Sequence, residues 1–247
     1  MKEFEGKTIV LDGAAAGIGK ETAMMLSRMG AKVVLVDLDE EQLKQTVAEL
    51  EGEGHGYVVY NLGDLTGIEA MVKGLVAQYG SIDGFVHCVG IRCRRPLNML
   101  SPEVVANVMN VNYGSFMELT RCIAKKGNHN PGLSIVAISS ISAKTGGATV
   151  TAYAASKAAI DGAVRCLARE LAPKGIRLNT LQPGQVNTPA YTAMLENSGG
   201  KDPVLERQYL GLCEAEDIAE MIIFLLSERS KRITGASLPV DGGYFTS

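Results

Sequence analysis

Tryptophan is missing from this 247-residue chain, and histidine appears only three times. His55, His87 and His129 are scattered without metal-ligand spacing, so no metal site is expected. The five cysteines (Cys88, Cys93, Cys122, Cys166, Cys213) are odd in number and contain no Cys-x-x-Cys pair, which argues against a disulfide framework. Long hydrophobic runs are lacking too: stretches such as Ile222 to Leu226 fall far short of the roughly 20 residues that cross a bilayer. The polar start, Met1 to Lys7, does not read as a signal peptide. Together with the unpaired cysteines, this sets the expectation of a soluble, cytoplasmic protein with no membrane partner. A formal charge of −3 offers no electrostatic case for a nucleic-acid partner. Internal repeats, low-complexity tracts and linkers are absent, so residues 1–247 are expected to form a single domain.

What is present is a regular alternation. Hydrophobic residues make up 46% of the chain, enough for a sizeable core. Apolar β-like runs fall at 8–11, 32–36, 56–60, 84–87, 134–138, 177–181 and 237–240. Helical candidates lie near 17–29, 40–51, 67–79, 101–124, 153–171 and 214–227. Ser101-Pro102-Glu103 supplies an N-cap followed by proline at the first helical position. Parallel strands need a crossover, usually a helix, so this order predicts an α/β, doubly wound, seven-stranded parallel sheet with helices on both faces. One region differs in texture. Pro183, Pro189, Gly199-Gly200 and Pro203 interrupt the span from Gly184 to Gly211, and a substrate lid at about 187–211 is one reading; an ordinary surface excursion is the other.

Gly13-Ala14-Ala15-Ala16-Gly17-Ile18-Gly19 follows the first strand and opens the first helix. Glycines permit a sharp turn and close approach of phosphates, and the helix N-terminus presents free N–H groups. Asp37 ends the second strand, where a carboxylate can accept hydrogen bonds from adenosine ribose hydroxyls. Asp39, Glu40 and Glu41 follow it, and no cation stands at Ala14 to Ala16 or at Leu38, so a 2′-phosphate would meet like charge. NAD is therefore expected over NADP, although a solvated acidic turn also explains Asp39 to Glu41.

Tyr153-Ala154-Ala155-Ser156-Lys157 places a phenol and an ammonium at i and i+4, on one helix face. A free phenol is almost fully protonated at neutral pH, and a cation about 4 Å away supplies roughly the energy needed to change that. Such a pair suits proton transfer to or from an oxygen while hydride moves at carbon. Alone, the spacing is common. It is accompanied by Ser140, which follows the fifth strand thirteen positions before Tyr153, and by Asn112 within an apolar helix.

With these pieces in order, the chain resembles the short-chain dehydrogenases/reductases of the compact, single-domain type, which share the Rossmann fold. The likeness spans essentially the whole length: Gly13-x-x-x-Gly17-x-Gly19, Asp37, Asp64-Leu65-Thr66, Asn112, Ser140, Tyr153-x-x-x-Lys157, Asn179, Pro183-Gly184 with Thr188-Pro189, and Thr234-Gly235 with Asp241-Gly242-Gly243. It implies that Ser140 holds the substrate oxygen, Tyr153 passes the proton, Lys157 binds the nicotinamide ribose and keeps Tyr153 poised, and Asn112 positions a water. It also implies cofactor contacts at Gly13, Ala16, Gly17, Ile18 and Gly19, at Asp37 and Leu38, at Val89 and Gly90, and at Tyr153 and Lys157. Asp64 and Leu65 would bracket the adenine, and Pro183, Gly184, Val186 and Thr188 would line the carboxamide and pyrophosphate side. A homotetramer paired through helices near 101–124 and 153–171 is implied as well.

Two segments depart from the pattern. Asp12 stands where the family usually has threonine, and His87-Cys88-Val89-Gly90 replaces the usual Asn-Asn-Ala-Gly. We expect Asp12 to accept backbone N–H bonds in the threonine's place, and Cys88 to act as a packing residue rather than a reactive thiol. Arg92-Cys93-Arg94-Arg95 puts three arginines near the expected cleft rim, where an anionic small-molecule substrate would fit; a solvated loop or subunit contact explains the run equally. The functional expectation is an NAD(P)-dependent oxidoreductase acting on a secondary alcohol or ketone. Rivals are a 3-oxoacyl-[acyl-carrier-protein] reductase, with Lys125, Lys126 and Lys174 available to dock a carrier, and a non-catalytic dinucleotide-binding sensor or scaffold.

Overall fold

Strand and helix alternate along the chain because each apolar strand hands over to an amphipathic helix through a short turn. The computed structural model describes residues 2–197, 199 and 202–246; Met1, Ser198, Gly200, Lys201 and Ser247, including three positions of the expected lid, lie outside the described residues. The first half runs β1 (Thr8–Asp12), α1 (Gly17–Arg28), β2 (Lys32–Asp37), α2 (Glu40–Glu49), β3 (Gly56–Val59), α3 (Ile68–Tyr79) and β4 (Ile82–His87). The second runs α4 (Pro102–Met109), α5 (Ser115–Ile123), β5 (His129–Ile138), α6 (Ser142–Thr145), α7 (Thr151–Leu171), β6 (Arg177–Pro183), β7 (Val186–Asn187), α8 (Pro189–Asn197), β8 (Cys213–Glu214), α9 (Ala215–Leu226) and β9 (Ser237–Val240).

Seven strands pair in the order β3-β2-β1-β4-β5-β6-β9, all parallel, with helices on both faces. This is the doubly wound sheet expected from the sequence. Strand alternation sorts the core: Ile9, Leu11, Val33 and Leu35 pack with α1, α2 and α9 on one face. Val10, Val34 and Val36 pack with α3, α5 and α7 on the other. Each fully buried aliphatic side chain contributes about 1.5–3 kcal/mol, so both layers together hold the sheet rigid. Among the described residues, no helix is long and apolar enough to cross a membrane.

The chain winds outward in both directions from β1 and β4, whose C-terminal residues Asp12 and His87 face each other in register. At such a switch point the two crossovers leave in opposite directions and open a crevice, the usual ligand position in an open α/β sheet. Asp12 is therefore not a surface loop residue; it is fully buried at the floor of that crevice.

One expectation is corrected. The single helix at 101–124 is two helices joined by a π-helical turn, Asn110–Gly114, which lies around the expected site residue Asn112. The irregular span after Gly184 carries α8 and a short parallel pairing of β7 with β8, neither visible in an apolar period too brief to register.

Candidate active site

A cleft of about 750 Å³ opens over the C-terminal ends of β1, β2 and β4. Its lining includes Gly13, Ala16, Gly17, Ile18, Gly19 and Asp37, with Val89, Gly90 and Thr188 from other segments. Gly13 has φ +62°, and a Cβ there would stand 2.7 Å from the Val89 backbone nitrogen. Glycine is thus required by handedness and by the closeness of the β4 turn. Gly17 leaves space for Thr188, whose Cγ2 would sit 3.3 Å from a Cβ. The Asp37 carboxylate bends back over the glycine turn: Oδ2 accepts the Ala15 N–H at 3.0 Å and Oδ1 the Leu38 N–H at 2.7 Å. Free N–H groups at the start of α1, a glycine cradle and a carboxylate at the end of β2 fit a dinucleotide.

The other expected cofactor residues, Leu38, Asp64, Leu65, Pro183, Gly184 and Val186, are not part of this lining. Leu38 is exposed beside Asp37. Asp64 Oδ1 accepts the Thr66 backbone N–H at 3.0 Å and hydroxyl at 2.6 Å, and these bonds hold its carboxyl below the usual range. Leu65 packs against the core layer of α3 and α5 and touches the π-turn at Gly114. Pro183 ends β6, Val186 is buried in β7, and Gly184 is pressed between Gln208 and the Asp241 backbone.

The departures at Asp12 and His87 form one unit. Asp12 Oδ1 accepts the backbone N–H groups of Cys88 and Val89, each at 2.8 Å, as expected. Its Oδ2 meets His87 Nδ1 at 2.6 Å, and His87 Nε2 lies 3.0 Å from the Asn112 backbone carbonyl. With Nε2–H donating to that carbonyl, the imidazole bridges β1 to the π-turn, packed between Phe85 and Phe116. Burial, reinforced by the Asp12 carboxylate, pushes the Cys88 thiol up, so it stays protonated at neutral pH and serves packing.

Asn112 in turn clasps the strand-end turn and α7. Its Oδ1 accepts the Ile91 N–H at 2.8 Å, while Nδ2 donates to Ile91 O at 3.1 Å and to Ser156 Oγ at 2.9 Å. Ser156 Oγ donates to the Tyr153 carbonyl at 2.7 Å. Lys157, 2% exposed, donates from Nζ to Ile138 O at 2.7 Å. The same Nζ would lie 2.9 Å from a Cβ at position 90, so Gly90 makes room for the ammonium beside the cleft. Tyr153 is half-buried, its ring centre 5.9 Å from Lys157 Nζ, and its hydroxyl has no hydrogen bond to a described residue. Ser140, buried in the turn after β5, accepts the Ser142 N–H at 3.1 Å and keeps its own proton to donate.

A family model described as enoyl-(acyl carrier protein) reductase matches residues 13–245. The chain is 35% identical to a 3-oxoacyl-[acyl-carrier-protein] reductase of Thermotoga maritima, over 97% of this chain and 98% of that one. It is 32% identical to a 7alpha-hydroxysteroid dehydrogenase of Bacteroides fragilis, over 98% and 96%. A solved short-chain glucose/ribitol dehydrogenase from Brucella melitensis superposes with a TM-score of 0.92 at 30% identity, covering both chains fully. The chain belongs to the short-chain dehydrogenase/reductase family. It is accordingly an NAD(P)-dependent oxidoreductase acting on alcohols and ketones.

Within this short-chain dehydrogenase/reductase, sequence reasoning missed Gln208 and Thr149. Gln208 Nε2 donates to Gly211 O at 2.9 Å, and its Oε1 accepts the Gln185 N–H, fastening the irregular span to the end of β6. Thr149 holds φ +67°, an outlier for a β-branched residue, and its carbonyl accepts the Arg95 N–H at 2.7 Å. Neither residue type marks such a role in a linear sequence.

Proposed function

We propose that this chain is an NAD-preferring secondary-alcohol dehydrogenase or ketone reductase in which Tyr153 transfers the proton and Lys157 holds it ready. The observation that carries the reading is the seat of Lys157: its ammonium is buried between the Ile138 carbonyl and Gly90, behind the cleft lining that Gly90 forms and one helical turn from Tyr153. The nicotinamide, when bound, supplies or takes the hydride. Ser140 donates a hydrogen bond to the substrate oxygen and orients it. Tyr153 gives its hydroxyl proton to that oxygen in reduction and removes it in oxidation. Lys157 spends one N–H on Ile138 and keeps two for the ribose and for proton exchange. A carbonyl oxygen has two lone pairs, so Asn112 O can accept from His87 and still hold the relay water.

NAD preference is supported by charge. Among the described residues no lysine or arginine lines the cleft, while Asp37 and Asp39 do, so a 2′-phosphate would meet two carboxylates and no described cation. Comparing kcat/KM for NADH and NADPH tests this; a preference for NADPH overturns it. Residues 187–211 act as a lid over the substrate, hinged where Gln208 fastens them. Exposed Leu97 and Met99 just before α4, and Val105 on it, support a homotetramer assembled through α4, α5 and α7, which light scattering will test. The free cysteines fit a reducing, cytoplasmic setting.

A second reading, 3-oxoacyl-carrier-protein reduction, is favoured by the Thermotoga maritima relative. Turnover of acetoacetyl thioesters faster than of small free ketones would select it.

A further inference from the structure

Beside Tyr153, two arginines converge on a single atom that cannot balance them. Arg92 Nη1 and Arg94 Nη2 reach the Met194 sulfur at 3.6 and 3.2 Å. A thioether is a weak acceptor, and two guanidinium groups that share one repel each other. Neither arginine forms an ion pair with any described carboxylate; among the described residues arginine ion pairs occur at Arg28, Arg121 and Arg229. Asp202 belongs to the same cavity wall and its charge reaches Arg92, but its Oδ1 is turned to the Val204 N–H at 3.0 Å. The cavity, about 220 Å³, lies between the two arginines, the 142–150 segment and α8.

The position of Arg92 is that of a binding residue. Its guanidinium carbon lies 5.8 Å from the centre of the Tyr153 ring. It remains open to solvent, yet surrounding protein withdraws it enough from water to hold it below the usual arginine range. A concave mouth produces both effects at once. Arg95 is different: its backbone N–H is held by the Thr149 carbonyl, and it lines only the groove with Glu103 and Val104, which Arg92 and Arg94 border as well, and not the cavity at Met194. The three-arginine run therefore divides: Arg92 and Arg94 reach the cavity at Met194, and Arg95 does not.

We propose that Arg92 and Arg94 form an anion subsite, so that the molecule meeting Tyr153 is a small alcohol or ketone carrying a carboxylate or phosphate at its far end. This rests on Tyr153 being the proton-transfer residue. Met194, a flexible side chain on α8, holds the place that the anion takes and moves aside for it. Charge-assisted bonds from two planar guanidinium forks give affinity and fix which carbon of the substrate faces the nicotinamide.

The test pairs charged probes with neutral ones: 4-oxopentanoate against 5-hydroxypentan-2-one, and dihydroxyacetone phosphate against dihydroxyacetone. Each is titrated calorimetrically into the enzyme–NADH complex and assayed for NADH oxidation. At least one charged probe should bind about 10- to 100-fold more tightly than its neutral partner, and the responding pair tells carboxylate from phosphate. Arg92→Gln and Arg94→Gln should each erase most of that advantage, Arg94→Lys should retain part of it, and Arg95→Gln should leave it intact. NADH affinity should not change in any of them, which also reports that the variants are folded. Equal binding of charged and neutral probes by the wild-type enzyme, or an advantage surviving Arg92→Gln with Arg94→Gln, overturns the subsite. Charge-selective binding without turnover of any probe keeps the subsite and counts against the oxidoreductase role of Tyr153.

Discussion

The nucleotide side and the substrate side of the cleft are built by opposite strategies. The nucleotide side comes from short-range structure: a glycine turn between β1 and α1, and a carboxylate at the end of β2 whose bonds go to neighbouring backbone. The proposed substrate side draws on segments far apart in the chain, with Arg92 and Arg94 after β4, the strained Thr149 before α7, and Met194 on α8. Backbone geometry makes the first rigid and recognisable, because phosphates and ribose demand the same N–H groups and turns in any such fold. Side chains on loops make the second variable, which is how one scaffold serves many substrates. Between them stands the Asp12–His87–Asn112 unit, which ties the end of β1 to α7 through Ser156.

Removing the chemistry without touching either side should have the largest effect. Tyr153→Phe should lower kcat by about a thousandfold or more while NADH affinity, followed by fluorescence, stays within about twofold. Activity near wild type would remove Tyr153 from the mechanism. Next in size is the link between the two sides. Asp12→Ala strands two backbone N–H groups and the His87 ring in a buried site, at a cost of about 3–5 kcal/mol. For a chain of this length that is a fall in Tm of about 10 °C, measurable by calorimetry. Combining Asp12→Thr with His87→Asn, the residues usual in the family, should recover part of the loss; no recovery would mean the two departures do not compensate each other.

A smaller effect sharpens the nucleotide side alone. Asp37→Ala should shift the NADPH-to-NADH ratio of kcat/KM by about 10- to 100-fold, because one charge near the ribose is removed. The smallest effect lies away from both sides. Glu69, half-buried, is held well below the usual carboxylate range by Lys125, Arg121 and Lys73. A depressed carboxylate contributes stability above its unfolded value of about 4.3 and loses it as pH falls toward the folded value. Glu69→Gln should therefore cost a small amount of stability at neutral pH, less in high salt, and the difference from wild type should fade below about pH 4.

Much of this was legible in the sequence for a physical reason. Parallel strands buried on both faces read as unbroken apolar runs, and all seven fall where expected, with ends shifted by a few residues. Glycines at 13, 17 and 19 announce a turn that only glycine can make, and the i,i+4 spacing of Tyr153 and Lys157 survives into α7 unchanged. The single helix expected at 101–124 was wrong because a π-turn keeps the same apolar period on either side of it. The three arginines looked alike in sequence because their division depends on which wall each side chain meets.

The sequence by itself determined the class of protein: seven parallel strands alternating with helices, a glycine turn after the first strand, an acidic residue at the end of the second, and a phenol one helical turn from an ammonium. These follow from local backbone geometry and from residue types at fixed spacing, which no distant contact needs to supply. Only the tertiary structure decided that Asp12 and His87 form a buried bridge to Asn112, that Gly90 exists to admit the Lys157 ammonium, and that Arg92 and Arg94 meet over one sulfur beside Tyr153. Those arrangements join residues tens of positions apart, and their energies arise from burial and charge proximity that exist only once the sheet has closed around them.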